Sequence, residues 1–301
     1  MPHMLTLIAP PGTLASPQIA AAREALAALG ADTLSPILLS PGEAADLPFT
    51  GLAAEQATAA ARQALAGAAV DVITTADEPN RRKRLLLADM DSTIVTSETL
   101  DELAAFAGLK EQIAAITKRA MNGELDFRSA LRERVGMLKG LDVSALEATW
   151  AATELMPGAA ELLGTMRAHG AHCVLVSGGF TFFTGRVAAR LGFHAHYSNT
   201  LEIQGNQLAG TVADPILDRD AKLATLKRLA SELGLPLAAT LAVGDGANDL
   251  AMVQAAGLGV AFQAKPVVAS AARARVDHCG LRALLFAQGF RAAEITAASP
   301  Q

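Results

Sequence analysis

The stretch "LLLADMDSTIV", residues 85–95, sets Asp89 and Asp91 two residues apart at the end of an apolar run. Two further apolar runs also end in polar turns. "VLVSGG" closes on Ser177, Gly178 and Gly179, and "TLAVGDGAND" closes on Asp245, Asn248 and Asp249. If these runs are strands of one parallel sheet, ligands sit beyond their carboxyl ends and the polar residues face one crevice. Several carboxylates at one point cannot all ionise without a cation. Oxygen donors with no His or Cys among them suit a hard ion, and Mg2+ is the expected one. A Ser hydroxyl beside the amides of Gly178 and Gly179 makes a phosphate cradle. Lys222, opening the helical segment "AKLATLKRL", balances the remaining negative charge. The chemistry these groups share is phosphoryl transfer, in which positioning and charge neutralisation dominate.

Strand alternation puts Asp89 and Asp91 on the same face. One acid can then attack phosphorus while the other handles protons. Asp89 would form an aspartyl phosphate, splitting one hard step into two. Asp91 would protonate the leaving alkoxide and then deprotonate the hydrolytic water. Each motif alone is weak: a lone pair of acids caps a helix just as readily, and "SGG" is a common turn. Their order on successive strand ends carries the reading.

The elements that must position these residues are legible from Leu85 onward. The runs "RLLLAD", "AHCVLVSGG", "TLAVGDG" and "AGLGVAF" alternate with helical segments, which implies α/β architecture: a Rossmann-like parallel sheet with helices on both faces. Between the first two runs lies an almost wholly helical insert, about residues 96–156, too long for a crossover helix. Its segments "SETLDELAAFAG", "KEQIAAITKRAMNG", "DFRSALRERVGMLKG" and "VSALEATWAATEL" predict a helical-bundle cap over the sheet. "HAHYSNTLEIQGNQLAGTVAD" reads as a β-hairpin turning at Gly205-Asn206.

Residues 1–76 form a separate pattern. Strands are expected at "MLTLIAP", "SPILLSPG", "DLPFTG" and "AAVDVITT". Helices are expected at "SPQIAAAREALAALG", with Ser16 at its cap, and at "LAAEQATAAARQALAG". The order β-α-β-β-α-β is the ferredoxin-like α+β plan. Residues 77–84 read as a charged linker, 85–290 as the main domain and 291–301 as a tail.

Composition removes several function classes. Of 301 residues, 25 are basic and 30 acidic, a net charge of −5, which leaves no basic footprint for nucleic acid or membrane. Aromatic residues make up 4%, too few for a base-stacking platform. Cys173 and Cys279 have no metal-ligand or redox spacing and read as inert thiols of a reducing, cytoplasmic setting. No apolar run is long enough to span a bilayer.

The motifs "DMDST", "SGGF" and "GDGANDLAM", with Lys222 between the last two, resemble those of the haloacid dehalogenase superfamily, in its phosphatase branch. "SETLDELA", "RAMNGELDFRSALRERVGMLKG" and "LMPGA" are similar to the bacterial phosphoserine phosphatase family, and the likeness runs from residue 84 to about 290. The resemblance implies hydrolysis of O-phosphoserine, the last step of serine biosynthesis, with Mg2+. It implies that Asp89 is nucleophile and metal ligand, that Asp91 binds metal through its backbone carbonyl, and that Asp245 is the third ligand. Ser177, Gly178 and Lys222 would hold phosphate, supported by Asn248 and Asp249. Glu98 would meet the substrate ammonium and an Arg the carboxylate; Arg134 fits, with Arg132 as its rival. Met121 and Phe127 match residues that close over the substrate. Relatives with a ferredoxin-like N-terminal domain leave open whether this one binds an amino acid or forms a homodimer.

Overall fold

The computed structural model describes residues 2–76, 79–122 and 124–298, apart from the side chain of Met121. The N-terminal part runs β1 (His3–Ile8), α1 (Ser16–Ala28), β2 (Asp32–Thr33), β3 (Ile37–Ser40), β4 (Ala44–Thr50), α2 (Ala54–Ala64) and β5 (Asp71–Ala76). β1 is central, antiparallel to β4 on one side and β5 on the other. β2 and β3 share the far edge of β4. The sheet thus has one strand more than the sequence pattern predicts: the strand expected at 35–42 is β3, and the short β2 pairs with β4 ahead of it. Pro36 has no N–H for a ladder. Pro48 sits inside β4 and is tolerated for a related reason. Its carbonyl accepts from Leu34 N at 2.9 Å, so its missing N–H faces the gap between β2 and β3. α1 is entered at Ala15 rather than at the expected Ser16 cap, with Ala15 N donating to the Gln18 side chain at 2.7 Å.

One face of this sheet, with Leu5, Leu7, Leu47 and Val72, packs on α1 and α2 through Ala22, Leu26, Ala57 and Ala61. Ile8, Leu39, Ala44 and Ile73 instead join the core of the rest of the chain. Residues 79–84 are no loose tether. Arg81 forms a fork with Asp46, at 2.8 and 2.7 Å, and Arg82 pairs with Glu294 at 2.8 Å. The expected tail is docked too: Ala298 N donates to Ala160 O at 2.7 Å.

The remaining elements are β6 (Leu85–Ala88), α3 (Thr99–Ala105), α4 (Lys110–Met121), α5 (Phe127–Gly136), α6 (Ser144–Ala151) and α7 (Ala159–Ala168). Next come β7 (His172–Phe180), α8 (Thr181–Leu191), β8 (Ala195–Asn199), β9 (Leu201–Gln204), β10 (Gln207–Val212) and α9 (Arg219–Glu232). The chain ends with β11 (Thr240–Gly244), α10 (Leu250–Ala255), β12 (Leu258–Phe262), α11 (Pro266–Ala271), β13 (Ala274–Val276) and α12 (Ala283–Ala287). The sheet order is β13-β12-β11-β6-β7-β8, parallel throughout. β6 is buried on both faces, Leu86 and Ala88 in one core and Leu85 and Leu87 in the other, which is why its sequence is continuously apolar.

Two strands of this sheet go beyond the sequence pattern. The pattern places β8 within the hairpin; it is instead a half-exposed edge strand whose polar alternation mimics one. β13 is short and closes the opposite edge. The hairpin itself is β9 and β10, joined at Gly205 and Asn206 as expected. All four helical segments of the insert form helices. The insert leaves and rejoins the sheet side by side: Val95 bridges Leu155, and Met156 N donates to Ile94 O at 2.9 Å. Among the described residues, no helix is long and apolar enough to cross a membrane.

Candidate active site

β6 ends at Ala88, between β7 and β11, so Asp89 emerges at the middle of the sheet. Its N–H continues the ladder to Val243 O at 3.0 Å, which fixes the backbone. Its carboxylate is buried at 4% exposure. The chain then turns sharply, with Ile94 N and Val95 N both donating to Met90 O at 2.8 and 2.9 Å. Ser92 takes a left-handed backbone, φ 52°, which Ser adopts rarely. The turn brings the Ser92 hydroxyl to Glu98 Oε1 at 2.6 Å and Thr99 N to Asp91 Oδ1 at 2.9 Å.

Ser177, Gly178 and Gly179 lie in the last part of β7. Gly179 N donates to Ser177 Oγ at 2.9 Å, which leaves the hydroxyl hydrogen available. The two glycines are required by space. A Cβ on Gly178 would sit 2.7 Å from the Phe127 ring, and one on Gly179 would sit 2.8 Å from Asp91 Oδ2. Gly244 has the same role at the end of β11, where a Cβ would lie 2.4 Å from Asp249 Cγ.

Lys222 is in the first turn of α9, whose cap residue Asp218 accepts from Asp220 N and Ala221 N, both at 3.1 Å. Its ammonium is wholly buried between Asp249, at 2.6 Å, and Asp89, at 2.8 Å. Burial alone would lower its pKa; the two carboxylates outweigh it and hold the ammonium firmly protonated. Asp249 also accepts from Gly246 N at 3.1 Å. Asp245 is different. It is 1% exposed, and neither carboxylate oxygen has a hydrogen-bond partner; Lys265 Nζ is 3.7 Å away. Burial first, then Glu98 and Asp249, push its pKa well above the ordinary range. Asp91 is shifted the same way by desolvation and by Glu98.

Single oxygens of Asp89, Asp245 and Asp249 lie within 4.8 Å of one another. Asp249 stands in this cluster beside the expected ligands Asp89 and Asp245, and one oxygen of the Asp91 carboxylate accepts from Thr99 N. Three buried acids facing one lysine, one of them with two orphaned oxygens, are a donor set that fits a hard cation.

Above this floor the insert forms a roof over a partly open cavity. Glu98, Phe127, Arg134 and Asn248 line it together with Asp89, Asp91, Ser177 and Gly178. Arg134 is the Arg that faces inward, at 6% exposure; its rival Arg132 points outward and pairs with Asp214 at 2.8 Å. α4 ends at Met121, but that side chain lies outside the described residues. Three neighbours are not singled out by the sequence motifs. Lys265 follows β12, the next strand end along the same sheet edge, so the crevice argument extends to it. Thr117 and Asp101 are buried polar residues on otherwise apolar helix faces, a pattern visible in "AAITKRAM" and "TLDELAAF".

Comparison with known proteins fits this geometry. Residues 86–254 match the family model of haloacid dehalogenase-like hydrolases. A phosphoserine phosphatase of Streptomyces coelicolor is 38% identical over 296 residues, covering 98% of this chain and 72% of that protein. One from Mycobacterium tuberculosis is 45% identical over 218 residues, 72% of this chain; the match spans 53%, about half, of that relative's length. Among solved structures, a phospho-aspartyl intermediate analogue of phosphoserine phosphatase is 38% identical, with a TM-score of 0.66 over 68% of this chain and 98% of that one. Matched by the family model over more than half of its length, the chain belongs to the haloacid dehalogenase-like hydrolase family.

Proposed function

We propose that this chain hydrolyses O-phosphoserine to serine and phosphate through an aspartyl phosphate on Asp89. The observation that carries the reading is the vertical order of charge in one cavity. Asp89 lines the floor, with Lys222 and the other clustered acids buried behind it; Glu98 and Arg134 line the roof. Phosphoserine carries phosphate, ammonium and carboxylate, and needs partners of these signs in one small volume.

Asp89 Oδ would attack phosphorus while Asp91 gives its proton to the departing serine oxygen. Burial and the neighbouring Glu98 raise the Asp91 pKa, which favours the protonated form that this step needs. Asp91 then takes a proton from the water that cleaves the acyl phosphate, and Asp89 is regenerated. Lys222, the Ser177 hydroxyl and the Gly178 amide would hold the phosphoryl oxygens, with Asn248 at the rim. Mg2+ would be held by the Asp89 and Asp245 carboxylates and the Asp91 backbone carbonyl, supported by Asp249. When bound it supplies the positive charge that the clustered carboxylates and the phosphate both need. Phe127 closes over Gly178 and keeps water from the reacting phosphorus; Met121 is assigned to the same closure.

The insert, about 96–156, is read as the cap of a phosphatase domain of residues 85–290. Residues 1–76 are read as a ferredoxin-like domain with one short additional strand, β2. A substrate panel tests the function. Phosphoserine should be turned over at least tenfold faster, in kcat/KM, than a generic aryl phosphate (about 1.4 kcal/mol of discrimination), and EDTA should abolish release of phosphate from both. Equal turnover of the two would end the substrate assignment. Activity surviving complete metal removal would end the Mg2+ assignment.

A further inference from the structure

We infer that Thr117 and Asp101 form a buried relay that sets the Arg134 guanidinium for the substrate carboxylate, an inference that rests on the proposed role of Arg134. Arg134 Nη1 donates to Thr117 Oγ1 at 2.9 Å, and Thr117 Oγ1 donates to Asp101 Oδ1 at 2.6 Å. The three residues are on three different helices of the insert: Asp101 on α3, Thr117 on α4 and Arg134 on α5. They are 7%, 4% and 6% exposed, so water does not compete for these bonds.

The direction of the relay follows from chemistry. A guanidinium only donates and an ionised carboxylate only accepts. Between them must stand a group that does both, and a hydroxyl does. Thr117 Oγ1 also lies 3.1 Å from Ile113 O, the usual fallback for a helical Thr. Its single hydrogen goes to the shorter, charged acceptor, which leaves a lone pair aimed at Arg134. A second tether, Arg134 Nε to Ala130 O at 3.1 Å, fixes the other side of the guanidinium. No further hydrogen bond holds Arg134 among the described residues. The Nη2 group and the second Nη1 hydrogen therefore remain for a two-point grip on a carboxylate. Arg134 and Thr117 both line the cavity, so the grip opens into it. Asp101 thus ties down the hydroxyl that holds Arg134, so the guanidinium is not free to swing.

Thr117 and Asp101 are positioning residues: they act through Arg134. The test compares O-phosphoserine with O-phosphoethanolamine, which keeps the phosphate and the ammonium but lacks the carboxylate. Thr117→Val retains shape and removes the relay. It should raise KM for phosphoserine about tenfold, the size of losing one charge-assisted hydrogen bond, and leave both kcat and KM for phosphoethanolamine within about twofold. Thr117→Ser should restore the phosphoserine KM. Asp101→Asn, which keeps an acceptor oxygen, should show the same substrate selectivity with a smaller rise, and it serves if Thr117→Val fails to fold. Equal changes on both substrates, or no change on either, would overturn the relay. Arg134→Ala is the control. If it separates the two substrates while the relay variants do not, the relay alone is wrong. If Arg134→Ala itself fails to separate them, the carboxylate reading falls and the relay with it.

Discussion

On the floor of the crevice, charged groups are placed by backbone. Asp89 and Asp245 each follow a strand in a ladder shared with its neighbours, and Lys222 rides the first turn of a capped helix. Asp249 is fixed by Gly246 N and packs where Gly244 leaves room. On the roof, the charged groups are placed by other side chains. Glu98 is held by Ser92 from the preceding turn, and Arg134 by Thr117 on a neighbouring helix as well as by Ala130 O on its own. Backbone placement is rigid and suits a reaction that every substrate of the family must undergo. Side-chain placement is replaceable one residue at a time and suits recognition of one substrate among many. The comparison predicts that floor mutations act on kcat for all substrates, whereas roof mutations act on KM for some.

The largest effect should come from Asp89→Asn. The floor as it stands has Asp89 and Asp249 facing Lys222, and the substitution leaves the Lys222–Asp249 pair at 2.6 Å intact. No buried charge is stranded, so the usual penalty for breaking a buried pair does not apply. Turnover of every phosphomonoester should fall by roughly 10⁴ or more, while the thermal melting temperature stays level or rises. Phosphate release and a melt on the same preparation check both halves. A variant that unfolds, or one that retains activity, breaks the view of the floor as chemically essential and structurally tolerant.

Arg134→Ala should rank second and should separate roof from floor. Truncating one side of a desolvated charge pair loses about 2–5 kcal/mol, so KM for phosphoserine should rise at least about thirtyfold. kcat at saturation and the parameters for phosphoethanolamine should change little. A matching fall in kcat for both substrates would mean that the roof also positions the phosphate, and the division between floor and roof would fail.

This division also explains what could be read from sequence. The floor was legible because strand ends obey a rule: apolar run, acid, turn. Asp89 and Asp245 follow it, Ser177 follows it with a hydroxyl in place of the acid, and the sheet order brings their strands together as adjacent neighbours. The roof was legible only through family likeness. Nothing in "RERVGMLKG" distinguishes Arg134 from Arg132 except helical phase relative to a cavity that the sequence does not show. Asp101 and Thr117 passed unnoticed because a buried polar residue on a helix is recognisable only once its partner on another helix is known. β8 and β13 were missed for the reason edge strands usually are: exposure on one side breaks the continuous apolar run that marks the strands between them. The Asp249 side chain folds back over Gly244 and reaches the acid cluster, a close approach that the spacing "GDGAND" permits but does not dictate.

The smallest effect concerns how the roof helix begins. α5 starts at Asp126, whose side chain accepts from Ser129 N at 2.8 Å; that backbone bond holds its carboxyl below the ordinary pKa. A depressed carboxyl stabilises the folded state above its unfolded pKa, and the contribution drains away as pH falls through the folded value. Asp126→Ala removes the cap, and the melting temperature should drop by about 2 °C at neutral pH. The gap between the two proteins should shrink as pH falls from about 4 through the depressed folded pKa, below which both carry an uncharged residue at the cap. Phe127 and Arg134 both hang on this helix, so a frayed start should loosen the roof before it touches the floor. KM for phosphoserine should therefore rise modestly, about twofold, with kcat unchanged. Parallel melts across pH, with initial rates at saturating and limiting substrate, measure all three. A gap that widened on acidification would contradict the depressed carboxyl, and a selective loss of kcat would show that α5 serves the chemistry and not only the substrate's grip.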